Sequence, residues 1–488
     1  MRMICCCSGK ERIMSRFSEQ LEYYILKSGY TEVQLAQVSG FNRSYIALMK
    51  NGQRVSPDID KMKRLFEALH LTLYEYEELW DAYLSARLGD EVYRKNKEVI
   101  RFLESFQNLS EISVDCSYEH VIPEIKIVRR RMDVEYIMQA VMEHAAEKQE
   151  GYIKIIMQAE DPVLFTILPH ICKKNKNLKV EQIICLENQI GNEKNALYNI
   201  HQLQCLMRTV IYSFHSNLDV FYYYDSVQAH FNEMSLFPYV IITTEYVICI
   251  HSSMEYGMLF KEKEIQENFI QLFERHKKKC RSLFKRIEGE YDWVYHYANQ
   301  GTECKVCYTI AQQPCLGFLN IDSLIRKCIP DRWVRIRHAL QVKIRENNKC
   351  LINGSLKPVS YCTQEGIRRF CREGVIDQLP VEIYNRLGKE DRLAVLSELK
   401  EMILQNKYEL YVLKEPAAIP KEINLTLMDM FDVTLTYMSE KKEMRFLLEE
   451  ASLTGIMWDF FENYKKTPLV MAGEEVVAYL DMQMEELK

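Results

Sequence analysis

Between Thr31 and Gly52 the chain reads TEVQLAQVSGFNRSYIALMKNG, and no other stretch constrains the fold as tightly. Two short apolar patterns at helical spacing, Leu35-Ala36 and then Ile46 with Met49, are separated by Ser39-Gly40-Phe41, which leaves room only for a tight turn. Asn51-Gly52 ends the second pattern, because glycine tolerates the left-handed backbone that a helix stop requires. Similar patterns flank the pair. Phe17, Leu21, Tyr24 and Ile25 repeat at helical spacing up to Gly29, and Pro57-Asp58 opens a helix carrying Ile59, Met62, Leu65, Phe66 and Leu69. A fifth helix is expected from Leu73 to Leu88.

The joint spacing of Leu35-Ala36, Gly40, Ile46, Asn51-Gly52 and the Leu65–Leu71 helix end resembles the lambda-repressor-like helix-turn-helix family, of the xenobiotic-response-element type. The resemblance covers residues 16–75. It implies that the third helix enters a DNA major groove, where outward residues must be polar and long enough to reach base edges. By that resemblance Arg43, Ser44 and Leu48 fall where the family reads bases, and Tyr45 and Leu48 can touch a thymine methyl. Lys50, Gln53 and Arg54 fall at phosphate contacts, with Thr31 and Asn42 at the two helix starts. Glu32 departs from the pattern, since the family often carries Gln there and a glutamate repels phosphate. From Met14 to His70 eight cations face six acids, so counterion release would contribute little to a monomer's affinity. The family usually binds two half-sites, which implies a homodimer.

The remaining chain is too long for one core. A net charge of −6 excludes a globally basic nucleic-acid coat. The longest apolar run, Tyr239–Ile250, is interrupted by Glu245 and is too short for the roughly 20 residues of a membrane span. Sixteen cysteines, mostly isolated within apolar segments, suit buried thiols in a reducing cytoplasm. Residues 1–13, with Cys5, Cys6 and Cys7, are expected to be a disordered leader before a start at Met14. Residues 14–88 form the helix-turn-helix domain and 89–115 a linker helix with Val92, Val99, Leu103 and Phe106 on one side. Arg129-Arg130-Arg131 reads as a solvated helix start.

From Gly151 strands and helices alternate, which is the pattern of an α/β layer fold. Strands are expected at Tyr152–Met157, Lys179–Leu186 and Leu218–Tyr224, with a strand pair at Tyr239–Ile250 broken at Thr244-Glu245. The last third partly repeats that order. Phe273-Glu274-x-x-Lys277-Lys278 matches Phe461-Glu462-x-x-Lys465-Lys466, which suggests two similar lobes by duplication. The fold class is therefore multidomain α + α/β: a five-helix lambda-repressor-like head, then a large two-lobed α/β region. Lobe one covers 116–290, a helical connector 291–345 and lobe two 346–488.

The segment FPYVIITTEYVICIHSSMEYGMLF resembles the strand pair of phospholipase D-like domains, which are also built from two similar lobes. That family's chemistry implies an H-x-K followed by an Asp in each lobe. Phe237-Pro238 stands where the histidine belongs, and the only H-x-K, His276-Lys277-Lys278, has no Asp at the required distance. Cys304 and Cys307 with Cys315 and Cys328 have zinc-like C-x-x-C spacing at one end only, and their apolar neighbours favour structural thiols. Phosphate-loop, dinucleotide, zinc-protease and nucleophile-elbow motifs are absent. Aromatics at Phe221–Tyr224 and Tyr291–Tyr297 read as core or half-buried strand faces.

The sequence alone thus points to a bacterial, cytoplasmic, sequence-specific DNA-binding transcriptional regulator rather than an enzyme. Double-stranded DNA, a homodimer and a small-molecule or peptide effector would be its partners, with no cofactor, metal or membrane. Two alternatives stand beside it. One is a peptide-responsive regulator with a helical receptor domain. The other is a DNA-binding head fused to an unrecognised enzyme domain.

Overall fold

The computed structural model describes residues 15–106, 122, 126–188, 193–212, 217–229, 235–287, 292, 305–414, 419–429, 432–439, 442–448 and 450–488. The expected leader, residues 107–115 of the expected linker, Cys304, and Tyr291–Tyr297 apart from Asp292 lie outside them. The chain divides into two compact units. One comprises Met1–Lys97 with Leu413–Ala417 and Phe460–Ala472, and the other Glu98–Val412, Ala418–Asp459 and Gly473–Lys488.

The first unit opens with five helices: α1 (Arg16–Ser28), α2 (Glu32–Ser39), α3 (Arg43–Lys50), α4 (Ile59–Ala68) and α5 (Leu73–Leu88). Their ends are set by local chemistry. Thr31 and Thr72 each cap a helix through reciprocal bonds with Gln34 and Glu75, satisfying amides that the first turn leaves orphaned. Gly29 and Gly40 end α1 and α2 at φ 71° and 76°. Phe17, Leu21, Leu35, Ile46, Met49, Met62, Leu65, Phe66 and Tyr83 form the buried core. A further helix, α6 (Asp90–Glu104), follows, and the boundary between the units falls inside it.

The first sheet and its helices run β1 (Ile127–Arg129), α7 (Arg131–Ala146), β2 (Tyr152–Ile156), α8 (Pro162–Lys174), β3 (Lys179–Glu187), α9 (Glu193–Tyr212) and β4 (Asn217–Asp225). They continue with β5 (Tyr239–Thr243), β6 (Val247–Ile250), β7 (Tyr256–Phe260), α10 (Lys263–Lys277) and β8 (Arg281–Ser282). The second set runs β9 (Phe284–Ile287), β10 (Val306–Ile310), α11 (Asp322–Cys328), α12 (Val334–Ile352), β11 (Lys357–Thr363), α13 (Gln364–Glu373), α14 (Lys389–Leu404) and β12 (Glu409–Leu413). It ends with β13 (Ile423–Met428), β14 (Asp432–Ser439), β15 (Lys442–Leu448), α15 (Ala451–Tyr464), β16 (Val470–Met471) and α16 (Glu474–Leu487). Strand β10 lies in the stretch expected to be a helical connector, so the second sheet begins earlier than the sequence pattern suggested.

The strand orders are β1-β7-β6-β5-β2-β3-β4-β8 and, read from the corresponding edge, β9-β15-β14-β13-β10-β11-β12-β16. Position for position, the second order repeats the first. In each sheet the first long strand pairs in parallel with the next and antiparallel with a meander that closes on the strand opening the set. The match between Phe273-Glu274 and Phe461-Glu462 falls on α10 and α15, each following the last meander strand, and both phenylalanines are fully buried.

The correspondence reaches single side chains. With Tyr152 opposite Lys179 and Val306 opposite Lys357, Gln158 and Gln312 stand at the same place beyond the first long strand. Each bonds the residue at the same register on the neighbouring strand. Gln158 accepts from the Cys185 amide at 2.9 Å and donates to its carbonyl at 2.7 Å, while Gln312 accepts from the Thr363 hydroxyl at 2.9 Å. Among the described residues no helix is long and apolar enough to cross a membrane.

Candidate active site

In open α/β sheets ligands bind beyond the carboxyl ends of the parallel strands. That edge exists twice here, and its side chains decide between the two copies. Beyond β2, burial raises the Asp161 carboxyl, but the carboxylate accepts from the Val163 amide at 2.9 Å and caps α8. Glu450, beyond β15, is likewise raised by burial and is engaged by the Ser452 hydroxyl and by the Ser452 and Leu453 amides. Both carboxyls are committed to helix starts.

Asp377 is not. It lies in the turn after α13, where Gly374 ends the helix at φ 64°. The turn is fastened to the end of β10 by Gln313, whose amide donates to the Val375 carbonyl at 2.9 Å and accepts from the Asp377 amide at 3.1 Å. Tyr384 accepts from the Ile376 amide at 2.7 Å, and Gln378 accepts from the Leu316 amide at 3.3 Å. Bonds from both sides hold the loop in one geometry, as a reaction centre requires.

Asp377 is 9% exposed. Its Oδ1 lies 3.3 Å from a guanidinium nitrogen of Arg369, which also stands 3.7 Å from Glu373. Oδ2 and the Gln378 amide nitrogen are buried and have no hydrogen-bond partner among the described residues. Buried polar atoms are rarely left so, because each costs about 1–3 kcal/mol. Burial pushes the Asp377 carboxyl up to about 6; Arg369 pulls it down and Glu373 pushes it further up. A carboxyl poised near neutrality beside a half-exposed cation can take and return a proton.

The residues expected to read DNA are placed as follows. Asn42, Arg43, Ser44, Gln53 and Arg54 are exposed at the start of α3 and in the loop after it, and Tyr45, Leu48 and Lys50 are half-buried. Thr31 is spent on capping α2. Glu32 draws Lys50 at 2.9 Å and Arg43 at 3.5 Å. Lys50, and behind it Arg43, holds Glu32 below the usual carboxylate range. Tyr45 stacks on Phe41 at 5.3 Å, and Arg54 lies over its ring at 5.9 Å. The one carboxylate of Glu32 thus offsets a single charge among the three cations expected at DNA, with Lys50 the nearer partner and Arg43 left mostly exposed.

His276, the histidine of the lone H-x-K, bonds the Leu272 carbonyl of its own helix at 2.8 Å, and Lys277 between it and Lys278 pairs with Glu181. Cys307, Cys315 and Cys328 are free thiols, and burial pushes the latter two up to about 11. Arg130 and Arg131 pair with Asp133 and Glu135. Sequence reasoning missed Asp377 because nothing in Glu373–Gln378 is a motif; only the fold brings it to the end of β10.

No protein-family model matches the chain, and no curated protein matches it. Among solved structures it is similar to a phosphatidylserine synthase from Haemophilus influenzae Rd KW20, at 12% identity over 74% of this chain and 91% of that one, with a TM-score of 0.23. It is also similar to a polyphosphate kinase from Porphyromonas gingivalis, at 8% identity over 69% of this chain and 49% of that one, with a TM-score of 0.22. The chain thus spans about half the kinase. Likeness of this degree transfers no chemistry. Both neighbours are enzymes by title, and neither title names a DNA-binding protein. The expectation of a non-enzymatic DNA-binding transcriptional regulator, with double-stranded DNA, a second copy and an effector as partners, is corrected accordingly. On this chain's side, Glu32 draws on both Lys50 and Arg43, which lowers the positive charge this face offers to phosphate.

Proposed function

We propose that the two-sheet unit is an enzyme whose acid–base centre is Asp377, beside Arg369, at the carboxyl end of β10. The observation that carries this reading is the carboxyl itself: buried, held near 6, with one oxygen on a guanidinium and the other unpartnered among the described residues. The chemistry it supports is hydrolysis or transfer at a phosphoric or carboxylic ester. Asp377 takes the proton of the attacking water or hydroxyl and returns it to the leaving oxygen. Arg369 faces the negative charge that develops between them. The duplicated strand order supports a phospholipase D-like architecture, but its histidine and lysine are missing from the first strand pair, so the proton work falls to a different group. The five helices of the first unit keep the spacing of a lambda-repressor-like head, which supports reading them as an appended module.

The test is turnover by the purified full-length protein of p-nitrophenyl acetate, p-nitrophenyl phosphate and bis(p-nitrophenyl) phosphate. At least one is expected to be hydrolysed, and Asp377→Asn is expected to lower that rate by about 100-fold or more, the usual contribution of a positioned general base. No turnover of any of the three, or an unchanged rate in the variant, contradicts the reading.

A further inference from the structure

The outer face of α12 has no part in the chemistry at Asp377. The helix runs for about 28 Å, and Ile336, Leu340, Ile344 and Leu351 bury its inner face. On the outer face Arg335, His338, Val342, Arg345, Lys349 and Ile352 follow one another at alternating steps of three and four residues, and all six are exposed. That spacing sets side chains along one line of a helix. The line holds three permanent cations and no acid. The one acid of the helix, Glu346, is half-buried at the flank of the line.

Two acids beside the helix are already taken up. Asp331 pairs with Arg337 at 2.8 Å, and Asp322 is shared by Arg345 at 3.0 Å and Arg326 at 3.8 Å. Arg335 and Lys349 have no side-chain partner among the described residues. Apolar groups are interleaved with these cations. Val342 stands between His338 and Arg345, Ile352 at the end of the line is 74% exposed, and Val334 at the helix start is 51% exposed. Cations alone suit any polyanion, but branched apolar side chains among them gain nothing from carboxylates or phosphates. In a lipid leaflet both kinds are satisfied. Apolar tips enter the acyl boundary, while Arg and Lys keep their heads at the phosphates and lay their stems along the apolar layer. A straight line of side chains also meets a plane along its whole length.

We infer that α12 docks the protein on an anionic membrane surface. It lies along the leaflet with Arg335, Arg345 and Lys349 at the headgroups and Val342 and Ile352 below them. The association is peripheral and independent of Asp377, so either reading can fail without the other. Sedimentation of the full-length protein with vesicles of phosphatidylcholine, alone or mixed with phosphatidylglycerol, tests it. Binding to the mixed vesicles only is expected. Each Lys or Arg near an anionic leaflet is worth about fivefold in partition, so Arg335→Gln with Lys349→Gln should weaken binding tenfold or more. Both side chains are exposed and unpaired among the described residues, so neutralising them leaves the fold in place. Ile352→Ser, which keeps every charge, should also weaken it. No binding to the mixed vesicles, equal binding to both kinds, or an unchanged partition in the double variant overturns the inference. Binding that ignores Ile352→Ser shows charge alone at work, as an acidic protein partner would require, and overturns it too.

Discussion

A carboxylate beneath a protein surface is costly to ionise, and Asp377 shows the cost as a raised pKa. Because its folded value of about 6 lies above the unfolded one, the native state holds an extra proton between about pH 4 and pH 6. The group costs no stability below about pH 4. Its cost grows as pH rises to about 6 and persists above. A shift of about two units corresponds to about 3 kcal/mol, as an upper estimate. Asp377→Asn should therefore raise the urea unfolding free energy at pH 7.5 by about 1–3 kcal/mol and leave it nearly unchanged at pH 4. A variant less stable than wild type at pH 7.5 would show the carboxylate to be a structural ion-pair partner. Glu32 has the opposite sign: Lys50 lowers its pKa, so its pairing stabilises at neutral pH and is lost on acidification.

At the scale of elements, the helix after β11 is held against the end of β10 by close approach rather than by a bulky contact. A Cβ on Gly366 would lie 1.8 Å from the Gln312 carbonyl oxygen. Gly366→Ala must push α13 away from the strand, taking with it the turn that carries Asp377. Overpacking of this kind costs about 1–3 kcal/mol. Thermal unfolding of the variant should show that loss together with reduced turnover, whereas full stability would mean that the helix is not seated as described. Elements of this kind were largely legible in the sequence. The helix start at Thr31, the stop at Gly40 and the break at Thr244-Glu245 act through neighbours a few residues away, and local patterns report local interactions. Strand β10 was not legible. Val306–Ile310 is short and wholly apolar apart from Thr309, and such a run does not declare its period.

At the scale of the molecule, the repeated strand order is the main finding, and only a trace of it was visible beforehand. Phe273-Glu274 and Phe461-Glu462 sit on equivalent helices because a buried phenylalanine and its half-buried polar neighbours are dictated by the same packing. The equivalence of Gln158 and Gln312 could not be read in advance, since it depends on strand register rather than on sequence spacing. The same limit applies to the site. The local signal of Thr31–Gly52 invited a DNA-binding function, and the internal pairing of Glu32 with Arg43 and Lys50 is a contact between two helices that a spacing argument does not weigh. Asp377 is assembled from α13, β10 and the turn between α13 and α14, and its chemistry comes from burial. The most direct test of the account is the pH dependence of kcat/KM for the full-length protein, on whichever of the three esters it hydrolyses. An ascending limb with a midpoint near 6 that disappears in Asp377→Asn is the predicted result. A profile that is flat from about pH 5 to 8, or a limb near 6 that survives in the variant, would contradict it.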